Sequence, residues 1–281
     1  MITINSLDEL HAQVDVWRRG GNVAFVPTMG NLHAGHLSLV KEARKIADRV
    51  VTSIFVNPLQ FGAGEDFESY PRTFERDSEM LIEEGTDLLF APPVELMYPK
   101  PQADQTRVEV PGLSELLCGA HRPGHFVGVA TVVCKLFNMV QPDIAVFGNK
   151  DYQQLMVIRR MVEDLAMPVT IVGVETMRES DGLAMSSRNG YLSAEERALA
   201  PLLYRTLSDL AARLRDGEDD FHRLEEEAAA ALDGGGFRTD YVAIRRSADL
   251  LDPVAAESEL VILAAANLGK ARLIDNIEVS R

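Results

Sequence analysis

Val23-Ala24-Phe25-Val26-Pro27-Thr28-Met29-Gly30-Asn31-Leu32-His33-Ala34-Gly35-His36 reads as a buried strand, a tight glycine turn and a helix that opens with two histidines. The run 23–26 is short, apolar and β-branched enough for a sheet-core strand. Pro27 and Gly30 end it, and Leu37, Leu39, Val40 and Ala43 give the next segment a helical apolar stripe. The turn therefore lies at the carboxyl end of a strand. His33 and His36 stand three apart at the helix start, where both rings can point the same way beside free backbone N–H groups and the positive end of the helix dipole. An anion docked there would meet backbone and imidazole donors together. Two other readings stay open: surface or capping histidines, and a zinc pair, the latter weakened because no H-E-x-x-H helix or cysteine pair lies nearby.

Outward from this turn, the first two thirds of the chain alternate strand-like apolar runs at 50–56, 87–91, 143–147 and 169–174 with amphipathic segments at 41–48, 73–84, 131–140 and 151–166. Such alternation marks βαβ units and a mostly parallel sheet, whose ligands bind beyond the carboxyl ends of the strands. After about residue 175 the pattern changes to helices over 194–214 and 221–232 and strands over 240–244, 260–265 and 272–277. The expected architecture is α/β, with an N-terminal domain over 1–175 and a smaller α+β C-terminal domain over 176–281. Gly234-Gly235-Gly236 follows a helix and lacks the context of a phosphate loop, so it reads as a connector.

With 281 residues, 46% of them hydrophobic, the chain can bury a full core. Its net charge of −15 argues against a nucleic-acid or anionic-membrane surface, so an anionic substrate needs a local cationic pocket. The first residues lack a basic and apolar leader and no apolar run approaches membrane-spanning length, which predicts a cytoplasmic protein. Cys118 and Cys134 have no C-x-x-C spacing and read as thiols, and Pro123 and Gly124 weaken a metal pair of His121 with His125.

Two further segments carry chemistry. Phe147-Gly148-Asn149-Lys150-Asp151-Tyr152-Gln153-Gln154 is again strand, glycine turn and helix start; Lys150 can neutralise a phosphate, and Gln153 and Gln154 can hydrogen-bond a polar ligand. Asp181-Gly182-Leu183-Ala184-Met185-Ser186-Ser187-Arg188-Asn189-Gly190 lies at the predicted domain junction and clusters donors for phosphate oxygens.

Taken in order, Pro27 to His36 as quoted, Ser53-Ile54-Phe55-Val56-Asn57-Pro58-Leu59-Gln60-Phe61, Tyr70-Pro71-Arg72-Thr73, Arg122-Pro123-Gly124-His125-Phe126, the segment 148–154 and Met185-Ser186-Ser187-Arg188-Asn189-Gly190 resemble the pantoate–β-alanine ligase family, nucleotidyltransferases with HIGH-type motifs. The likeness runs through nearly the whole chain. It implies a Rossmann-like N-terminal domain, a C-terminal lid domain, a homodimer and a Mg²⁺-requiring reaction. In that reaction ATP and pantoate give pantoyl adenylate and pyrophosphate, and β-alanine then yields pantothenate and AMP.

Position by position, the resemblance places Met29, Gly30, Asn31, Leu32, His33, Ala34, Gly35 and His36 around ATP, with His36 as proton donor. Gly148, Asn149, Lys150, Asp151, Met185, Ser186, Ser187 and Arg188 complete the ATP site, and Met177 lines it. It gives Gln60 and Gln154 to pantoate, Gln60 also lying where β-alanine arrives, places Arg122 nearby, and gives Asp77 to Mg²⁺. Cys118 stands where many members carry an acid. Because a carboxylate attacking a phosphate needs no enzyme nucleophile, His33, His36, Lys150 and Arg188 would act as positioning and charge-stabilising catalytic groups. The rival readings are a nucleotidyltransferase acting on a phosphate ester and an ATP-binding sensor without turnover.

Overall fold

The computed structural model describes residues 1–62 and 64–281. The chain runs β1 (Ile2–Ile4), α1 (Leu7–Arg18), β2 (Val23–Thr28), α2 (Ala34–Ile46), β3 (Arg49–Ile54), α3 (Phe74–Glu83), β4 (Leu88–Phe90), α4 (Val94–Met97), α5 (Cys118–His121), α6 (His125–Val140), β5 (Ile144–Gly148), α7 (Tyr152–Asp164) and β6 (Thr170–Val174). It continues through α8 (Ala194–Leu199), α9 (Leu202–Arg215), α10 (Phe221–Gly234), β7 (Arg238–Arg246), β8 (Glu259–Leu268) and β9 (Ala271–Ser280). Two compact units form: Met1–Glu115 with Arg122–Asn149 and Gln154–Glu175, and Leu116–His121 with Lys150–Gln153 and Thr176–Arg281.

In the first unit β1 to β6 make one six-stranded sheet in the order β1-β4-β3-β2-β5-β6, every pair parallel. The expected parallel α/β sheet is present. Parallel strands need both faces covered, and β2 has both. Ala24 and Val26 pack with Leu39, Val40 and Ala43 of α2 and with Leu81 of α3. Phe25 meets Phe137 of α6 edge-on at 6.4 Å. The chain runs outward from β2 through β3 to β4, then restarts on its other side with β5, so the switch point, beyond whose strand ends such sheets bind ligands, lies between β2 and β5. β1 and α1 carry no prediction above; β1 is three residues long with one buried, and α1 buries only Leu10 and Val14.

The second unit holds the antiparallel sheet β7-β8-β9. Its core draws Leu203, Leu207, Leu210 and Leu214 of α9 and Leu224 and Leu232 of α10 onto Ile244, Ile262 and Ala264 of the sheet. The glycine triplet ends α10: Gly236 takes φ 92° and the Phe237 amide returns to the Leu232 carbonyl. It is a helix stop, as its context implied. Among the described residues no helix is long and apolar enough to cross a membrane.

Candidate active site

At the end of β2, Thr28 Oγ1 donates to the Ser53 carbonyl at 2.7 Å and accepts from the Gly30 amide at 3.2 Å. Gly30 and Asn31 then take φ values of 80° and 49°, the left-handed region open to glycine and tolerated by asparagine. Asp77, in the first turn of α3, closes the bend from behind: Oδ2 accepts from the Asn31 amide at 2.7 Å, and Oδ1 accepts from the Leu32 amide at 2.9 Å and Thr73 Oγ1 at 3.0 Å. Leu32 is thereby sunk into the core beneath α2.

His33 is the N-cap of α2, its Nδ1 accepting from the Gly35 amide at 3.1 Å. An Nδ1 that accepts carries no proton, so the neutral cap keeps its hydrogen on Nε2. The His36 amide bonds to the His33 carbonyl at 2.8 Å, and the two rings stand 4.1 Å apart. The expectation of free backbone donors is narrowed here. The amides of Gly30, Asn31, Leu32, Gly35 and His36 already have partners inside the turn, because the left-handed bend folds them onto Thr28, Asp77 and His33. With these five amides engaged, side chains must supply more of the donors for an anion than helix geometry alone implies. As for zinc, among the described residues no three of His, Cys, Asp or Glu come together as a metal site.

Beyond β3, buried Asn57 caps the 3-10 turn Pro58–Gln60 through its Oδ1, which accepts from the Leu59 amide at 3.3 Å and from Tyr98 Oη at 2.7 Å. Burial pushes the Tyr98 phenol up, so it stays protonated and donates. Asn57 Nδ2 donates to Gln60 Oε1 at 3.0 Å and to the Gly128 carbonyl at 3.1 Å. With its oxygen fixed in this way, Gln60 turns Nε2 toward Met29 Sδ at 2.9 Å, a weak acceptor. Gln60 is thus set to donate to an oxygen-rich ligand. The turn lies directly on α6, where a Cβ at Gly128 would strike the Leu59 carbonyl. Gly128→Ala is expected to cost about 1–3 kcal/mol, the scale of overpacking; an unchanged urea midpoint would mean that the helix can retreat.

Arg122 grips Glu65 through Nε and Nη2 at 2.7 and 2.6 Å, meets His125 Nε2 at 3.0 Å and reaches the Gln60 carbonyl at 3.4 Å, to which His125 Nδ1 donates at 2.7 Å. In this structure Arg122 therefore holds the Gln60 turn. Burial pushes the Glu65 carboxyl up, but the hydrogen bonds and charge of Arg122 outweigh it, leaving the group below its ordinary 4.5. A carboxyl depressed by folding stabilises the protein above its unfolded pKa and loses that contribution as pH falls through the folded value. Glu65→Gln should therefore lower the stability at pH 7, by about 1 kcal/mol for a pair still partly in water. The difference should close as pH falls below 4.5, and one that persists in acid contradicts the pairing.

The second strand-turn-helix runs β5, a 3-10 turn at Asn149–Asp151, then α7. Gly148, Asn149 and Gln154 fall in the first unit, and Lys150, Asp151 and Gln153 in the second. There the Lys150 carbonyl accepts from Asn276 Nδ2 at 2.9 Å. The buried Gln153 is not a ligand group: Oε1 accepts from the Cys118 amide at 3.1 Å and Nε2 donates to the Leu116 carbonyl at 2.7 Å. Of the two neighbouring glutamines, Gln154 is the one left as a candidate ligand group.

Met177 and Met185 are joined by a backbone hydrogen bond of 3.0 Å, and Arg178 pairs with Ala184 in a small bridge. Ser186 caps the 3-10 turn Ser187–Tyr191, its hydroxyl accepting from the Arg188 amide at 3.2 Å. The whole loop hangs on Arg178, which makes a two-pronged ion pair with buried Asp275 at 2.6 and 2.9 Å, bonds the Gly182 carbonyl and lies 3.8 Å over the Tyr204 ring. Cys118 Sγ lies 3.0 Å from Tyr241 Oη and 3.5 Å from both terminal nitrogens of Arg272. The thiol thus takes the guanidinium contacts that an acid would take. Both cysteines are free thiols.

Glu65, Tyr98, Arg178 and Asp275 have no part in the reading of the sequence above, and Asn57 and His125 stand in its quoted segments without the positioning roles seen here. Asn57 alone carries a local signal, an Asx residue before Pro58; the others act through partners distant in the chain.

A parallel α/β sheet whose strand ends carry a capped histidine turn and an oriented glutamine defines an enzyme of the nucleotide-using α/β class. The pantoate–β-alanine ligase family model matches residues 2–278. The chain is 57% identical to the pantothenate synthetase of Shewanella oneidensis over 282 residues, covering all of both chains. Its fold matches the crystal structure of pantothenate synthetase from Thermus thermophilus with a TM-score of 0.93 at 51% identity, again over all of both chains. It matches the ligase from Francisella tularensis with a TM-score of 0.83 at 34% identity, over 99% and 97% of the two chains. The chain belongs to the pantoate–β-alanine ligase family. Its activity is that of the family, the ATP-dependent ligation of pantoate to β-alanine.

Proposed function

We propose that the ligation runs in two steps on the residues described above. A carboxylate oxygen of pantoate attacks the α-phosphorus of ATP and pyrophosphate leaves. The β-alanine amine then attacks the acyl carbon of pantoyl adenylate, loses a proton, and expels AMP, which keeps the oxygen that bridged the two. No group of the protein forms a covalent bond, so the work is positioning and charge stabilisation. The observation that carries this reading is the histidine turn at the sheet's switch point, where His33 is held with its hydrogen on Nε2. It gains support from the Francisella tularensis relative, whose structure is a complex with β-γ ATP and β-alanine.

In this reading Met29 to His36, Gly148 to Asp151, Met177 and Met185 to Arg188 contact ATP. His33, His36, Lys150 and Arg188 donate to its phosphates. Gln60 and Gln154 hold pantoate, and Arg122, once exchanged from Glu65, receives a substrate carboxylate. Mg²⁺ would neutralise phosphate charge, entering with the nucleotide on phosphate oxygens and water. Asp77 does not fit as its ligand, since both carboxylate oxygens are committed to Asn31, Leu32 and Thr73. A cytoplasmic homodimer completes the proposal.

The test omits each substrate in turn. Pyrophosphate should appear with ATP, pantoate and Mg²⁺, and AMP should turn over only when β-alanine is added. A flat pyrophosphate trace would favour an ATP sensor, and a dinucleotide-like product a transferase.

A further inference from the structure

The Asp77 carboxylate, 1% exposed, is the most deeply buried acid of the first unit and lies directly behind the histidine turn. We propose that Asp77 is a positioning residue that holds the ATP-binding turn in shape from its protein side and has no part in binding Mg²⁺. The proposal rests on the reading of that turn as an ATP site. A carboxylate offers about four lone-pair positions. Three are used here, by the Asn31 amide, the Leu32 amide and Thr73 Oγ1, all within 3.0 Å. Mg²⁺ demands near-ideal octahedral geometry and keeps several waters, and the one lone pair left, on an Oδ2 packed against Gly30 in a residue 1% exposed, offers no room for such a hydrated ion.

What those two amides do for the site follows from the chain. Asn31 at φ 49° follows Gly30 at φ 80°, so the bend is one that an unsupported chain seldom adopts. A Cβ on Gly30 would come to 3.1 Å from Asp77 Oδ2, so the carboxylate also shapes the space into which the bend fits. Leu32 enters the core and His33 caps α2 immediately after it, which fixes the His33 ring 4.1 Å from that of His36. A second brace is the Thr28 hydroxyl, which donates to the Ser53 carbonyl and accepts from the Gly30 amide, so it too is engaged within the turn.

The test measures ATP affinity calorimetrically in EDTA and again with Mg²⁺, on the full-length protein. Asp77→Asn keeps the shape but turns an NH₂ group toward at least one of the three donors. It should weaken metal-free ATP by about tenfold or more, within the range that a misplaced site suffers. Excess Mg²⁺ should not restore the affinity, and the Asn31 and Leu32 amides should exchange with solvent faster. Thr28→Val should give the same phenotype in smaller measure, and it carries the test alone if Asp77→Asn fails to fold. The positioning role is overturned if Asp77→Asn, or Thr28→Val in its place, binds metal-free ATP as the native protein does. It is also overturned if high Mg²⁺ or Mn²⁺ restores Asp77→Asn. A His36→Ala variant with native affinity for metal-free ATP would instead sink the ATP reading of the turn, and this proposal with it.

Discussion

His36→Ala is expected to slow pyrophosphate release from ATP and pantoate by roughly 10²-fold or more, the scale on which one preorganised transition-state donor acts. As the carboxylate adds to the α-phosphorus, negative charge grows on the oxygens around it, and a donor already in place needs no reorganisation to meet it. The substitution isolates that effect. His36 lies within α2 and its backbone amide, which alanine retains, makes the bond to the His33 carbonyl. His33→Ala is a poorer probe, because it also removes the N-cap, a loss of about 1 kcal/mol in its own right. A His36→Ala protein with a native melting midpoint and near-native pyrophosphate release in rapid-quench measurements would remove His36 from the chemistry.

Asp275→Ala is expected to destabilise the protein by about 3 kcal/mol, the lower part of the range for stranding one partner of a buried ion pair. The Asp275 side chain is 1% exposed and that of Arg178 is 19% exposed, so some water reaches the guanidinium, and its place over Tyr204 also softens the loss. Arg178 additionally bonds the Gly182 carbonyl, so its release loosens the loop that carries Met185 to Arg188. A shift of the urea midpoint at unchanged slope reads the stability directly. A loss below about 1 kcal/mol, the range of exposed pairs, would mean that the loop does not depend on this anchor.

The turn at 23–36 was legible because three independent local signals coincide in it: an apolar β-branched run, a proline and glycine that end it, and a helical stripe that restarts after it. The parallel sheet was legible for the same reason, repeated four times. What the sequence hid is the direction in which polar groups point. Gln153 and Gln154 are neighbours of one type, yet the helix turns the first inward onto Leu116 and Cys118. Asp77 is 46 residues from the amide to which it bonds most closely, and a backbone amide leaves no mark in the composition of its partner. Arg122 reads as a ligand-binding cation, but a glutamate 57 residues away pairs with it. Free N–H groups at the helix start were a fair inference from helix geometry alone, but the fold turns those of Gly35 and His36 onto its own bend.

The central claim is that the pantoate carboxylate itself is adenylated, and isotope transfer tests it most directly. With pantoate labelled by ¹⁸O in both carboxylate oxygens, ATP and β-alanine, the AMP formed should carry one ¹⁸O in its phosphate and the amide carbonyl of the product should keep the other. Unlabelled AMP, with the label instead in inorganic phosphate beside ADP, would contradict it by showing activation at the γ-phosphate through an acyl phosphate.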